Sequence, residues 1–191
     1  FRRRLDFART LGAKSVNTIA GPLDHRDGFR RNIPQIGRHA ADLGIVVALE
    51  NHGDLVDHGR QIVEFIRELD SPAVRVNYDT GNAYYYSKGT IDSAVELAEV
   101  APVVAHVHVK TPQVEAGTLR WVALGEGLLN LPAVAKVLKE RLPGVPISYE
   151  LSPRQRSRNF EPRWRTPEIP ALPELRGMIR KSLDALAAAL A

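Results

Sequence analysis

The chain has 191 residues and a formal net charge of +4, and 44% of its residues are hydrophobic. This length favours a single domain over 1–191, and the hydrophobic content can bury a core, which excludes a chain that is disordered by composition. Because the chain has no cysteine, disulfides, thiolate metal sites and a cysteine nucleophile are excluded.

No run of about 18 apolar residues predicts a membrane-spanning helix, and no signal peptide is recognisable. Together with the absence of cysteine, this favours a cytoplasmic protein with no membrane partner. The chain begins at Phe1 within a helical pattern and without an initiator methionine, so we expect a fragment that lacks an N-terminal portion.

The positive charge is concentrated at the C-terminal end. Residues 152–191 contain eight Lys/Arg and four Asp/Glu, which accounts for the whole net charge. Such a segment can bind phosphate or nucleic acid, although a solvated surface is the commoner explanation. We predict that 152–172 is an Arg/Pro-rich loop before the closing helix.

Short runs rich in β-branched residues alternate with longer amphipathic runs, which have apolar residues at helical spacing. In chain order, the pattern predicts a helix near 1–13, a strand at 14–21, a helix within 28–43 after Pro34, a strand at 45–50, a helix at 59–70, a strand at 73–79, a helix at 90–101, a strand at 103–110, a helix at 131–142, a strand at 145–151 and a helix at 173–191.

Strands that alternate with helices indicate βα units and a parallel sheet. The uninterrupted apolar runs 45–49 and 103–105 suit a sheet that is covered on both faces. A doubly wound sheet, a whole barrel and part of a barrel all fit this pattern. A dinucleotide-binding sheet would carry GxGxxG after its first strand, and the sequence has no such motif there.

Four predicted strands end in ionisable side chains, which we name the strand-end cluster: Glu50, Asp79, His108 and Glu150. Each of these residues alone would more often be a solvated rim residue or a helix cap. In a (β/α)8 TIM barrel, however, the C-terminal strand ends form one face, and active sites lie there. The recurrence favours the barrel, and five visible strands predict a partial barrel with strands 4–8 and their helices.

Three carboxylates and one imidazole suit Mn, Mg, Co or Zn, so we expect one divalent metal ion. Such an ion can polarise a carbonyl group, while Glu50 and Glu150 could move protons as base and acid. His106 and His108 are two residues apart on one strand, so their side chains point the same way. We favour His108 as the ligand because it lies nearer the strand end.

Five motifs in the same order resemble the xylose isomerase-like TIM barrels, and more narrowly the sugar phosphate isomerase/epimerase group. They are ALENHG (48–53), NYDTGN (77–82), HVHVK (106–110), LGEG (124–127) and ISYEL (147–151). The resemblance covers about residues 5–151. It implies that the strand-end cluster binds one divalent metal and that Glu50 and Glu150 carry the proton transfers, as in related ketose epimerases.

Two positions depart from the family pattern. Many relatives follow the HVK motif with aspartate, whereas this chain has Thr111-Pro112, so the loop beyond that strand cannot be inferred. Relatives often have histidine three residues after the metal-binding aspartate, and here the residue is Asn82. This second departure argues against the related apurinic endonucleases, whose site needs extra histidines.

Four further residues on the same rim are predicted to bind substrate: His52, Asn82, His106 and Lys110. Lys110 could meet a substrate oxygen or phosphate. His52 and its neighbour Asn51 could instead brace the ligand Glu50 or cap the next helix. The tyrosines 84–86 could line a sugar pocket or pack on the rim.

The resemblance and the site chemistry together predict a metal-dependent isomerase or epimerase of a sugar, polyol or sugar phosphate. A base removes a proton next to a carbonyl, and the metal holds the resulting enediolate. A dehydratase on the same scaffold, an apurinic-endonuclease-like phosphodiesterase and a non-catalytic binding module are the alternatives. The expected partner is a small carbohydrate, nucleic acid is not expected, and homo-oligomer formation stays open.

Overall fold

A computed structural model of the chain describes residues 1–53, 55–69 and 71–191. Its strands form two sheets, one parallel and one antiparallel. The helices are α1 Arg2–Thr10, α2 Arg26–Asp42, α3 Gly59–Leu69, α4 Thr80–Tyr86, α5 Ser93–Val100, α6 Leu131–Arg141 and α7 Leu172–Leu190. The strands are β1 Ser15–Ile19, β2 Val46–Glu50, β3 Val74–Asp79, β4 Val104–Val109, β5 Thr111–Glu115, β6 Thr118–Val122, β7 Ile147–Tyr149, β8 Gln155–Arg158 and β9 Trp164–Arg165.

The parallel sheet has the order β1-β2-β3-β4-β7 and forms part of a (β/α)8 barrel. Its five strands lie within the five runs that the sequence predicts. The prediction of a partial TIM barrel is therefore confirmed. Because the strands are parallel and adjacent, their C-terminal ends meet along one rim.

The two faces of this sheet differ in chemistry. Val47 pairs in register with Val74, and Leu49 pairs with Val76, and all four side chains are buried in the core beneath the helices. Since successive side chains of a strand point to opposite faces, the alternate positions face the barrel interior. Glu50 and Asn77, which are paired in register, lie on that interior side.

Two helices differ from the sequence prediction. Helix α4 was not predicted, because its seven residues TGNAYYY show no apolar periodicity. It begins at Thr80, directly after the N-cap Asp79. Helix α2 begins at Arg26 and contains Pro34, although proline in a helix interior loses a hydrogen bond. Its buried face, which includes Ile33 and Ala40, packs in the main core and stabilises the continuous helix. Asp70, the last residue of the predicted helix 59–70, lies outside the described residues.

The antiparallel sheet, with the order β5-β6-β8-β9, was also not predicted. Its first two strands are joined by Ala116 and Gly117, which both have positive φ, 46° and 76°. A two-residue hairpin turn of this kind usually carries Asn-Gly, so the sequence signal is weak. The strands β8 and β9 lie within the segment 152–172, for which the sequence predicts a loop.

None of the helices in the described part of the chain combines the length and the apolar character that crossing a bilayer requires.

The two sheets meet at Gly81 in helix α4. A Cβ atom added there would lie 2.6 Å from Trp121 Cζ3 and 2.9 Å from Lys110 Cγ. These distances are shorter than normal van der Waals contacts, so only glycine permits this close packing of α4 against Lys110, directly after β4, and against Trp121 of β6.

We expect Gly81→Ala to lower the free energy of unfolding by about 1–3 kcal/mol, because the extra methyl group overpacks this junction. Gly28→Ala is the matched control, since a Cβ atom at that helical position meets no atom within 4 Å. It should raise the free energy of unfolding by about 0.5–1 kcal/mol through helix propensity. Urea denaturation of both variants measures the two effects, and equal destabilisation would contradict the packing argument.

Candidate metal centre

The structure brings the strand-end cluster together. One ligand atom from each of its four residues lies within 4.8 Å of the ligand atoms of the others. Glu50 and Asp79 end β2 and β3, His108 lies one residue before the end of β4, and Glu150 directly follows β7. Glu50 and Asp79 are buried, and the other two are partly exposed. The cluster can therefore hold a metal ion.

His108 is the centre of the cluster. Its Nδ1 atom lies 3.6 Å from Glu50 Oε1, 3.8 Å from Asp79 Oδ2 and 3.5 Å from Glu150 Oε2. Burial lowers the pKa of His108, but the hydrogen bonds to Glu150 and Glu50 and the charges of Glu50 and Asp79 outweigh burial and raise the pKa to about 10. One ring nitrogen therefore faces all three carboxylates.

Asp79 has two oxygens with different roles. Its Oδ1 accepts a hydrogen bond of 2.7 Å from the backbone N–H of Asn82, which caps helix α4. Its Oδ2 is buried and has no hydrogen-bond partner among residues 1–53, 55–69 and 71–191. Burial raises the pKa of Asp79 to about 8, although the charge of Lys110 opposes this shift. A buried carboxylate oxygen without a hydrogen-bond donor fits a site for a cation.

The donor set and its charges also fit a divalent ion. Three carboxylate oxygens and one imidazole nitrogen suit Mn, Mg, Co or Zn. Lys110 Nζ lies 2.9 Å from Glu150 Oε1 and 3.7 Å from Asp79 Oδ2, and its side chain is almost fully buried. A divalent cation and the Lys110 ammonium together carry three positive charges, which would neutralise the three carboxylates.

The ionisation of Glu150 depends on the positively charged side chains beside it. Burial raises the pKa of Glu150, but the hydrogen bond from His108 and the charge and hydrogen bond of Lys110 outweigh burial and hold the pKa well below its usual range. Ser152 Oγ adds a hydrogen bond of 3.2 Å to the same oxygen that Lys110 contacts. The Glu150 carboxylate is therefore kept charged.

Two amides hold Glu50. Asn82 Nδ2 donates to Glu50 Oε1 at 3.0 Å, and Asn77 Nδ2 donates to Oε2 at 3.3 Å. Asn82 Oδ1 accepts from Lys110 Nζ at 3.3 Å. The predicted substrate-binding residues Asn82 and Lys110 are thus buried beside the cluster and bonded to its members, and their contact with substrate stays a prediction.

His106 lies next to His108, with ring centroids 5.0 Å apart and the rings edge to face. Its Nδ1 lies 2.8 Å from Asn77 Oδ1 and its Nε2 lies 3.1 Å from Ser148 Oγ. Burial and the charge of His108 lower the pKa of His106. The structure therefore places His106 below the cluster, held by neighbouring strands, and its role in substrate binding also stays a prediction.

His52 lies further out on the rim than the other predicted residues. Its Nε2 atom lies 3.4 Å from Arg163 Nη2, and its ring packs edge to face on Tyr86 with centroids 5.9 Å apart. Burial and the charge of Arg163 lower the pKa of His52.

Asn51, whose role the sequence left open, joins two strand ends. Its side chain donates to the Asp79 carbonyl oxygen at 3.0 Å and accepts from the Asp79 N–H at 2.7 Å. This pair of bonds connects the chain directly after β2 to the end of β3. It therefore fixes the position of Asp79 relative to Glu50.

Sequence reasoning missed several residues that surround the cluster. Asn77 and Ser148 lie two positions before Asp79 and Glu150, so the period of two along a strand could have placed them on the interior face. Asn17 Nδ2 lies 3.2 Å from His106 Nδ1 and 3.5 Å from His108 Nε2. Arg163 lies in an arginine-rich segment without periodicity, which gives no signal that separates it from its neighbours.

Comparison with known proteins agrees with this architecture. The model of the xylose isomerase-like TIM barrel family matches residues 1–182. No curated protein matches the sequence significantly.

Solved structures show the same fold at low sequence identity. An L-ribulose 3-epimerase has a TM-score of 0.70 and 15% identity, over 99% of this chain and 65% of that one. A xylose isomerase-like TIM barrel protein from Mycobacterium smegmatis in complex with magnesium has a TM-score of 0.71 and 21% identity, over 100% and 66%. A probable 3-DHS dehydratase from Bacillus anthracis has a TM-score of 0.67 and 20% identity, over 78% and 61%.

The chain spans less than two thirds of the length of each of these three proteins. The family match covers most of its residues, and its five parallel strands form the corresponding part of the barrel. The chain belongs to the xylose isomerase-like TIM barrel family.

Proposed function

We propose that this chain carries the metal-binding and proton-transfer residues of a carbohydrate isomerase or epimerase. The observation that carries the proposal is the convergence of the strand-end cluster, with its two glutamates on the outer strands of the set. Along the sheet, Glu50 on β2 and Glu150 after β7 flank Asp79 and His108. A small substrate over the cluster would have one glutamate on each side.

In this proposal Glu50, Asp79, His108 and Glu150 hold one divalent ion, which is Mn, Mg, Co or Zn. When bound, the ion would polarise a substrate carbonyl group and stabilise the negative charge that develops on its oxygen. The similar protein from Mycobacterium smegmatis was solved in complex with magnesium, which supports a divalent ion in this fold.

Glu50 and Glu150 are the proposed acid–base pair. Glu50 accepts hydrogen bonds from two neutral amides, which orient both of its oxygens. Glu150 is held by Lys110 and Ser152 on one oxygen. One glutamate would remove the proton from the carbon next to the carbonyl, and the other would return a proton from the opposite side. Proton return on the opposite face inverts the carbon, which is epimerisation.

The substrate would lie on the open side of the cluster, within reach of the rim. His52, Asn82, His106 and Lys110 remain the proposed substrate-binding residues. Of these, Asn82, His106 and Lys110 are buried beside the cluster, so they would act on the substrate through its nearest oxygens or through the ligands they hold. A carbohydrate substrate is supported by the similar fold of an L-ribulose 3-epimerase.

A dehydratase is the second candidate, because the fold is also similar to that of a probable 3-DHS dehydratase. It would use the same proton removal, followed by loss of a hydroxyl group from the next carbon. A phosphodiesterase with several metals has less support, since the described residues contain one group of side chains able to hold a metal. In addition, the amide of Asn82, where such enzymes need histidine, already donates to Glu50.

Metal binding is the first test. Asp79→Asn keeps the size of the side chain but replaces its carboxylate by a neutral amide, which cannot become an anionic ligand. We expect the affinity for Mn²⁺ to fall by more than about 100-fold, because loss of a ligand should exceed the 10–100-fold effect of losing a ligand's supporting partner. Calorimetry and elemental analysis should give one ion per wild-type chain. Glu140→Gln, on the exposed side of α6, is the matched control and should leave the affinity unchanged. Two or three ions per chain would favour the phosphodiesterase instead.

Proton transfer is the second test. With saturating divalent metal and a panel of ketoses and inososes in D₂O, deuterium should enter the carbon next to the carbonyl in the wild-type chain. We expect Glu50→Gln and Glu150→Gln each to slow this exchange by about 10²–10⁴-fold, since each removes a proton carrier. NMR measures the exchange, and Glu140→Gln again serves as the control.

The products separate the remaining candidates. An epimer or isomer indicates the leading proposal, whereas a product that has lost water indicates the dehydratase. Absence of exchange in the wild-type chain across the whole panel would count against both. If the wild-type chain catalyses no exchange, and Glu50→Gln and Glu150→Gln both bind a carbohydrate as tightly as the wild type does, the chain is a non-catalytic binding module.

A further inference from the structure

Arg163, in the segment between β8 and β9, reaches back over helix α4 to the rim of the metal centre. Its Nη2 atom donates to Tyr86 Oη at 2.5 Å and lies 3.4 Å from His52 Nε2. The guanidinium carbon lies 5.2 Å from the ring centroid of Tyr85 and 5.3 Å from that of Tyr86. Two aromatic rings therefore hold this cation in place.

The charge of Arg163 has no anionic partner in the part of the chain that the structure describes. Arg30 and Arg60, in contrast, form ion pairs with Glu68 and Glu99 on the outer surface. Arg163 is also partly buried, and the hydrogen bonds that it makes to described residues leave from Nη2. A partly buried guanidinium without a carboxylate, with other N–H groups still able to donate, is suited to an anionic ligand.

The position of Arg163 relative to the metal centre is set by two short connections. Tyr86 follows Asn82 by four residues in helix α4, so the two side chains lie on one face about 6 Å apart along the axis. Asn82 donates directly to Glu50, and His52 follows Glu50 by two residues. Arg163 thus lies about one helical turn beyond the groups that hold Glu50.

We propose that Arg163, with Tyr86 and His52 beside it, binds an anionic group of the substrate at the end remote from the reacting carbonyl. The inference rests on the proposed function and narrows its substrate class to carbohydrates that carry a phosphate or a carboxylate. Both groups match the planar fork of a guanidinium, which can bind them with two parallel hydrogen bonds. The aromatic rings hold the guanidinium in position before the substrate arrives, which reduces the entropy lost on binding.

The test uses probes that lack a carbonyl group and so cannot react. A pentitol, a pentitol 5-phosphate and a pentonate are titrated by calorimetry into the magnesium-loaded chain. The wild-type chain should bind at least one charged probe about 10- to 100-fold more tightly than the neutral pentitol. Preference for the phosphate or for the pentonate identifies which anion the site takes.

Arg163→Met should abolish this preference and leave the affinity for the pentitol and for magnesium unchanged. Arg163→Lys keeps the charge without the fork and should retain part of the preference. Arg165→Met is the matched control, because Arg165 is an exposed arginine two residues away on β9, and it should behave as the wild type. A wild-type chain without preference, or equal effects of Arg163→Met and Arg165→Met, would overturn the inference.

These results stand apart from those of the exchange experiment. If no deuterium exchange is seen but tight binding of the charged probe still requires Arg163, the anion site is supported and the proposed reaction is wrong. If exchange occurs with ketoses but no charged probe binds more tightly than the pentitol, the reaction stands and the anion site is wrong. Unchanged magnesium affinity in Arg163→Met shows that this variant has kept its fold.

Discussion

Electrostatic repulsion among three carboxylates, held within 4.8 Å of one another, is the constraint around which this half-barrel is arranged. Like charges at such separations cannot all stay ionised without compensation. The compensation comes from buried Lys110, from His108 and from amides that bind Glu50. Trp121 of the antiparallel sheet covers Lys110, with Nζ 4.4 Å from the ring centroid, so the smaller sheet also supports the charge balance.

The parallel sheet supplies the precision that such a cluster needs. Each residue of the strand-end cluster is at or next to a strand end, and the apolar face of the same strands is buried beneath the helices. Cross-strand bonds add to this: Asn51 holds the backbone of Asp79, and Thr80 Oγ1 joins the backbone of Lys110 at 2.9 and 3.0 Å. Groups that are fixed before a ligand arrives lose little entropy when it binds.

The sequence predicted the five parallel strands and the strand-end cluster because both depend on local pattern and on strand direction. It could not predict helix α4, since seven residues with a tyrosine run carry no helical period, or the hairpin turn at Ala116, where a non-glycine residue has positive φ. The contact of Arg163 with Tyr86 joins residues 77 positions apart, and only the folded chain brings them together. Long-range polar contacts of this kind have no periodic signature.

Asp79 contributes to two structures at once, since Oδ1 caps helix α4 while Oδ2 lies within the strand-end cluster. The two oxygens belong to one rigid planar group. A substitution that changes the direction of the first turn of α4 therefore also moves an oxygen of the cluster. The same helix carries the tyrosines that contact Arg163. The helix that borders the proposed substrate therefore cannot change its starting direction without moving Asp79, which is a proposed metal ligand.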